Sequence, residues 1–257
     1  MPLRSNCASC IFVRWRRRRT TDMAGAPEAS APARPVRILV TGFSVFPGAP
    51  VNPTEALARI LHDEPPTGEG IEAFRADVLA VEYATIQDRL SAIGREFLPD
   101  IVIHFGLARE CSGFRLERVA RNSHAEARPD QSGHMPDAAL ICAGPDILPS
   151  TLPLDRIAER LALAGLPVEW SDDAGGYLCN TVMTLSLAYA CDGLRPVMSG
   201  FVHVPPLKEA EPENPHAMGI DDLVAGARLI IDASVAAWAE KPNPRDRQRS
   251  LLPRHRS

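Results

Sequence analysis

Cys179 has the sequence surroundings of a cysteine nucleophile. It follows the glycine pair Gly175-Gly176 and precedes a segment, residues 181–188, whose apolar residues have helical spacing. The positive end of a helix dipole stabilises negative charge, so a helix N-terminus favours the reactive thiolate over the thiol. The position is therefore suited to attack on a carbonyl carbon. The alternative is that Cys179 is a small buried core residue, as most free cysteines are.

His203 and Glu117 are the predicted partners of this cysteine. His203 ends an apolar strand, and Cys179 begins the helix before it, so a helix that crosses the sheet would bring both to the carboxyl edge. A cysteine nucleophile needs a base, and the base needs an orienting group. Glu117 follows the loop that leaves strand 101–105, and we predict that it is this group at the same edge.

Other interpretations of these residues remain open. His203 could be a hydrogen-bonded structural histidine, Glu117 could form a surface pair with Arg118, and Glu82 is a rival carboxylate after another strand. Asp172-Asp173 could be solvated turn residues or metal ligands. The chain contains no HExxH motif, EF-hand loop, P-loop or GxGxxG motif, so we predict neither a metal nor a cofactor.

Strand and helix patterns alternate along the chain, which predicts an α/β fold. Near-continuous apolar strands between amphipathic helices are typical of a mostly parallel sheet covered on both faces. The predicted fold class is a three-layer α/β/α sandwich with a mostly parallel, twisted sheet. Strands are predicted at 36–41, 74–81, 101–105, 168–170 and 197–204, with short ones at 116–120 and 138–142, and helices at 53–61, 86–97, 153–164, from 179 and at 219–238.

Charge and composition divide the chain into three parts. Residues 1–34 are arginine-rich and then Ala/Pro-rich, and we expect a disordered or spurious extension, with an organelle transit peptide as the alternative and Met23 as a hypothetical true start. Residues 35–240 are predicted to form one domain, and 241–257 a disordered basic tail. Between the ends lie 15 basic and 29 acidic residues, a net charge of −14, which argues against nucleic acid as a partner.

The cysteines and the hydropathy indicate the compartment. The six cysteines lack the spacing of a disulfide framework and are interpreted as reduced thiols of a cytoplasmic protein. No apolar run approaches the roughly 18 residues that a membrane span needs.

Five blocks between about Val36 and Trp238 resemble the pyroglutamyl peptidases, a family of cysteine peptidases. The order Glu117, Cys179, His203 and their separations of 62 and 24 positions are those of such enzymes. The blocks are Gly42-Phe43-x-x-Phe46 with Val51-Asn52-Pro53-Thr54, Pro99-Asp100-Ile101-Val102-Ile103-His104-x-Gly106-Leu107-Ala108, Glu117-Arg118-Val119-Ala120-x-Asn122, Ala174-Gly175-x-Tyr177-Leu178-Cys179-Asn180 and Gly200-Phe201-Val202-His203-Val204-Pro205.

The resemblance implies an omega-peptidase that hydrolyses the amide bond after an N-terminal pyroglutamyl residue. Cys179 would attack the carbonyl, His203 would pair with the thiolate and later protonate the leaving amine, and Glu117 would orient His203. Water would then hydrolyse the acyl-enzyme. Partners would be N-terminally pyroglutamylated peptides and, in a homotetramer, further copies of the chain.

The same resemblance implies a substrate pocket with departures from the family pattern. Phe43, Phe46 and Tyr177 would face the lactam ring, with ordinary core packing as the alternative for each.

The departures are Pro47 in place of a glycine, Arg109-Glu110 in place of a glycine pair, and an arginine shifted by one position. Ala127 stands where the family has its functional arginine, and Arg128 takes that role only if the loop shifts. A related amidase with altered acyl specificity and a catalytically silent binding protein are therefore the alternative functions.

Overall fold

The structure, a computed structural model, describes residues 35–241. The predictions for 1–34 and for 242–257 lie outside the described residues. The strands are β1 (Val36–Phe43), β2 (Ile71–Leu79), β3 (Ile101–Leu107), β4 (Phe114–Glu117), β5 (Val119–Arg121), β6 (Ile147–Pro149), β7 (Val168–Ser171) and β8 (Met198–Val204). The helices are α1 (Pro53–Asp63), α2 (Tyr83–Phe97), α3 (Leu154–Leu163), α4 (Leu178–Leu187) and α5 (Ile220–Glu240).

The predicted α/β sandwich is confirmed. Six strands form one sheet in the order β2-β1-β3-β8-β4-β7, and β5 and β6 form a separate antiparallel pair. Strands β2, β1, β3 and β8 are parallel, whereas β4 is antiparallel to β8 and parallel to β7. Helices α1, α3 and α5 pack on one face of the sheet, and α2 and α4 pack on the other.

The central strands β3 and β8 are buried along nearly their whole length because both faces of the sheet are covered. In β3, Ile101 and Ile103 belong to the core under α1, α3 and α5, whereas Val102 between them belongs to the core under α2 and α4. This alternation follows from the two-residue period of a strand. It fixes which side chains of β3 and β8 face α4, the helix that carries Cys179.

Two predicted strands differ from the structure. The predicted strand at 116–120 is divided between β4 and β5, which belong to different sheets. The prediction of a strand at 138–142 was wrong: the side-chain oxygen of Asn122 accepts hydrogen bonds from the backbone N–H groups of Ile141 and Cys142. The strand in this region is β6, which pairs with β5.

No helix between residues 35 and 241 is long and apolar enough to cross a membrane.

Candidate active site

A cavity of about 540 Å³ lies at the carboxyl edge of β1, β3 and β8. Cys179 and His203 both line it, in agreement with the general placement of ligand sites in α/β sheets. The predicted pocket residues Phe43, Phe46, Tyr177 and Arg128 also line this cavity.

Cys179 is held by the first turn of α4. The helix begins at Leu178, so Cys179 is its second residue, as the glycine turn and the apolar spacing predict. The next residue, Asn180, fixes this turn to β5: its Oδ1 accepts from the Arg121 N–H at 2.9 Å, and its Nδ2 donates to the Arg121 carbonyl at 2.7 Å. The sulfur therefore sits where free N–H groups of a helix start and the helix dipole favour negative charge.

Gly106 makes room for the sulfur beside His203. It pairs with His203 in the β3–β8 register. A β-carbon at Gly106 would lie 2.9 Å from Sγ of Cys179 and 2.6 Å from the Phe201 ring. Such distances are too short for real contacts, so only glycine lets β3 pass this close to Cys179.

Glu117 contacts His203 inside the sheet. Its Oε1 lies 2.7 Å from Nδ1 of His203, and the Glu117 side chain is completely buried. Strand β4 pairs antiparallel with β8, with Arg115 opposite His203 and Glu117 opposite Phe201. Glu117 is the last residue of β4 and lies opposite Phe201, so it sits two residues deeper along β8 than His203 and not at the outer edge that the sequence predicts. Its second oxygen, Oε2, is buried without a hydrogen-bond partner among the described residues.

The surroundings of His203 favour its charged form. Burial works to lower the pKa of His203, but the negative charge of an ionised Cys179, a hydrogen bond to it and the contact with Glu117 together raise the pKa to about 9. His203 is consequently an imidazolium at neutral pH when Cys179 is a thiolate. An ion pair of this kind is the activated form of a cysteine nucleophile.

One end of the cavity is aromatic. The ring centroids of Phe46 and Tyr177 lie 6.1 Å apart, those of Tyr83 and Tyr177 lie 6.0 Å apart, and Cζ of Arg128 lies 5.1 Å from the Tyr177 centroid. Phe43 is 4% exposed and belongs to the hydrophobic core, and it also lines the cavity, so core packing and a place in the cavity wall do not exclude each other.

Two tyrosine hydroxyls hold the segment that carries Arg128. Tyr83 donates to the Arg128 carbonyl at 3.3 Å, and Tyr177 donates to the Pro129 carbonyl at 3.2 Å. Arg128 lines the cavity, whereas Ala127 does not. The loop therefore presents the arginine one position later than gap-free comparison with the family indicates. Sequence reasoning missed Tyr83, and its only signal was an aromatic residue that follows β2.

Charged side chains also line the cavity. Arg109, Glu110 and Arg115 line it, and none of them was predicted as a site residue. Arg109 forms an ion pair with Glu211 and donates to the Gly48 carbonyl at 2.8 Å, so it ties the loop after β1 to the loop after β8.

The rival carboxylates have other roles. Glu82 accepts hydrogen bonds from Gln131, Ser132 and Thr85. Asp172 pairs with Arg118, and Asp173 accepts from the Gly175 N–H. In the part of the chain that the structure describes, no three His, Cys, Asp or Glu side chains are grouped to hold a metal ion.

This fold and this cavity define a class of protein. A cysteine at a helix start, a buried histidine–glutamate contact beside it and a cavity at the carboxyl edge of an α/β sheet are the arrangement of a cysteine hydrolase. The family model for pyroglutamyl peptidases matches residues 36–237. The chain belongs to the pyroglutamyl peptidase family, whose members are cysteine peptidases that remove N-terminal pyroglutamate.

Relatives and solved structures agree with this membership. The chain is 38% identical over 179 residues to a pyrrolidone-carboxylate peptidase of Pyrococcus furiosus, and the aligned region covers 68% of this chain and 83% of the relative. It is 35% identical over 202 residues to pyrrolidone-carboxylate peptidase 1 of Ralstonia nicotianae, covering 77% and 92%. The crystal structure of the P. furiosus pyrrolidone carboxyl peptidase superposes with a TM-score of 0.71 at 33% identity, covering 78% of this chain and 99% of the other.

Proposed function

We propose that Cys179, His203 and Glu117 are the catalytic residues with which this chain hydrolyses the amide bond after an N-terminal pyroglutamyl residue. The observation that carries the proposal is the buried 2.7 Å contact between Glu117 and His203, next to the sulfur at the start of α4. A histidine whose pKa is raised to about 9 can hold a thiolate as its counter-ion at neutral pH.

The first half of the reaction forms an acyl-enzyme. The Cys179 thiolate attacks the pyroglutamyl carbonyl carbon, and its lone pair becomes the new S–C bond while the carbonyl electrons move to oxygen. Backbone N–H groups at the start of α4 are suitably directed to stabilise this oxyanion. The His203 imidazolium then donates its proton to the leaving amine, the C–N bond breaks, and a thioester remains.

The second half releases pyroglutamate. Neutral His203 accepts a proton from water as the water oxygen attacks the thioester carbon. The C–S bond breaks, and the thiolate and the imidazolium are restored together. Glu117 keeps Nδ1 of His203 oriented in both halves of the reaction, and it stabilises the imidazolium before acylation and after hydrolysis of the thioester.

The aromatic end of the cavity is the proposed pocket for the pyroglutamyl ring. The lactam carries no ammonium, so an apolar wall with a few polar groups suits it better than a charged one. Phe43, Phe46 and Tyr177 would contact the ring, and Arg128 would supply hydrogen-bond donors from above Tyr177.

The setting of the enzyme is also a proposal. We propose a cytoplasmic location, which is supported by the free cysteines between residues 35 and 241. A homotetramer acting on N-terminally pyroglutamylated peptides is proposed from the family resemblance, and the acidic central part of the chain makes nucleic acid an unfavourable partner.

Turnover of pyroglutamyl-aminomethylcoumarin by the purified chain and by Cys179→Ser tests the function. We expect fluorescence release by the wild type and its loss, by at least about 10³-fold, in the variant, because a serine hydroxyl is not ionised by His203. Selective alkylation of Cys179 without this turnover would instead favour an amidase of different acyl specificity. A chain with neither activity would be a silent binding homologue.

A further inference from the structure

Arg115 is a cavity residue on β4, the strand next to His203. The two residues are directly opposite in the antiparallel β4–β8 register, so their side chains leave the same face of the sheet with β-carbons about 5 Å apart. Glu117 leaves that face two residues further along β4. Arg115 lines the cavity, and 27% of its side chain is exposed.

The hydrogen bonds of Arg115 hold it in place and leave its outer nitrogens available. Its Nε donates to Oε2 of Glu169 at 2.9 Å. The other oxygen of Glu169 accepts from the Ser112 N–H at 2.8 Å and the Ser112 hydroxyl at 2.6 Å. Within residues 35–241, no acceptor is hydrogen-bonded to Nη1 or Nη2 of Arg115. Two donor nitrogens of a guanidinium held by Glu169 therefore remain for a ligand in the cavity.

The proposed reaction places the two halves of a substrate on either side of the scissile bond, which must lie at Cys179 and His203. The acyl group belongs to the aromatic end around Tyr177, on the β1 side of Cys179. The leaving amine must lie at His203, which protonates it, so the first residue of the leaving group extends toward β4. In an amino acid the carboxylate carbon is about 2.5 Å from the amine nitrogen, which follows from the N–Cα and Cα–C bond lengths. A carboxylate there is within reach of the Arg115 side chain, which leaves β4 directly opposite His203.

We propose that Arg115 binds the α-carboxylate of the leaving amino acid, so that pyroglutamyl dipeptides are a preferred substrate class. The inference rests on the proposed function and adds a subsite to it. A guanidinium with two parallel donors matches a carboxylate better than it matches the uncharged carbonyl of a longer peptide. The preference therefore comes from the charge and the second oxygen that only a dipeptide presents at this position.

Nearby acidic side chains limit the size of the preference. Glu169 shares the charge of Arg115 but is itself held by Ser112, and the pKa of Glu169 is lowered to about 2 against the effect of its burial. Glu110 and Asp173 line the same cavity and are exposed, so water and salt screen their repulsion of a carboxylate. A hydrogen bond to a charged group at a partly exposed site then corresponds to about a tenfold effect on binding.

The test compares pyroglutamyl-alanine with pyroglutamyl-alanine amide, using kcat/KM from chromatographic measurement of released pyroglutamate. The wild type should prefer the free acid, and Arg115→Gln should lower the acid-to-amide ratio about tenfold while it retains turnover of the amide. Arg115→Lys keeps the charge and should retain an intermediate ratio. Arg118→Gln is the matched control, because Arg118 has its own ion pair with Asp172 and does not line the cavity. Its ratio should equal that of the wild type.

Two results would overturn the subsite. One is a wild type that cleaves the amide as well as the free acid, or better. The other is an acid-to-amide ratio that Arg115→Gln leaves unchanged. Pyroglutamyl-aspartate amide, whose only carboxylate is on the side chain, is a third substrate. An Arg115-dependent gain for this substrate alone would also overturn the assignment to the α-carboxylate. Absence of turnover of pyroglutamyl-aminomethylcoumarin by the wild type would reject the proposed function itself, so the two failures are distinguishable.

Discussion

Replacement of Glu117 by glutamine removes a negative charge from the interior of the site with little change of shape. Glu117 is completely buried, the His203 side chain is 8% exposed, and the two groups are 2.7 Å apart. A glutamine oxygen can still accept from Nδ1, so the orientation of His203 should survive. What is lost is the charge that favours the imidazolium, in a place where water screens it weakly.

The size of the effect follows from the pKa of His203. Burial acts to lower this pKa, Cys179 supplies the larger raising contributions, and Glu117 adds to them to give about 9. An opposite charge in direct contact shifts a pKa by about 1–3 units, so loss of the lesser contribution should lower it by about 1–2 units. At about 1.4 kcal/mol per unit, this corresponds to about 2 kcal/mol, or a loss of about 30-fold in kcat/KM.

Two measurements check this expectation. The alkaline limb of kcat/KM against pH, followed with pyroglutamyl-aminomethylcoumarin, should move to lower pH in Glu117→Gln because the imidazolium loses its proton sooner. The free energy of unfolding should also depend on the protonation of His203. The pKa of His203 is raised by folding from about 6.5 to about 9, so its stabilisation is complete below pH 6.5 and is lost as the pH rises through 9. In the variant, urea unfolding should show that this loss begins at lower pH.

Glu72→Gln is the control for the change of net charge. Glu72 pairs with Arg37 at a half-exposed site far from the cavity along the edge strand β2, and its replacement should alter stability by no more than about 1 kcal/mol. An alkaline limb that stays in place in Glu117→Gln, or that moves equally in the control, would refute the reasoning from the buried ion pair.

Two further predictions concern the sulfur. Iodoacetamide at neutral pH should alkylate Cys179 well before Cys111, because burial raises the pKa of the Cys111 thiol to about 12. Peptide mass mapping at successive times measures the two alkylation rates. Equal rates would contradict a thiolate at Cys179 that is paired with His203. Gly106→Ala should lower kcat/KM by at least about 100-fold and destabilise the fold by about 1–3 kcal/mol, since the new methyl group would overlap the sulfur and a phenyl ring; near wild-type kinetics would show that β3 can move away.

The sequence predicted the parallel half of the sheet well because its strands are buried on both faces. Near-continuous apolar segments such as β3 and β8 have few alternative structures, and helices with clear amphipathic spacing connect them. Only six residues, 108–113, separate β3 from β4. A parallel return needs a dozen or more, so this connection length could have indicated that β4 runs the other way. Its neighbour, β8, comes about 80 residues later, and no local pattern identifies it.

Local side-chain competition explains the false strand at 138–142. The segment is apolar, but the Asn122 side chain takes the backbone N–H groups that a sheet would need. The position of Arg128 is a similar case, because the hydroxyls of Tyr83 and Tyr177 that fix its loop come from 45 and 48 positions away from their acceptors. Spacing along the chain indicated Cys179, His203 and Glu117 as candidates, whereas the charged residues of the cavity wall depend on contacts that only the folded chain reveals.

The reversed direction of β4 has a consequence for how this chain can diverge. The pairing of β4 with β8 on one side and with β7 on the other fixes the position of Glu117 in the sheet. The loop that precedes β4 does not fix it. Arg109 and Glu110, which are exposed and line the cavity, can therefore change while the carboxylate keeps its distance from the imidazole. Selection on which peptides are cleaved can act on the mouth of the cavity without disturbing the proposed catalytic residues.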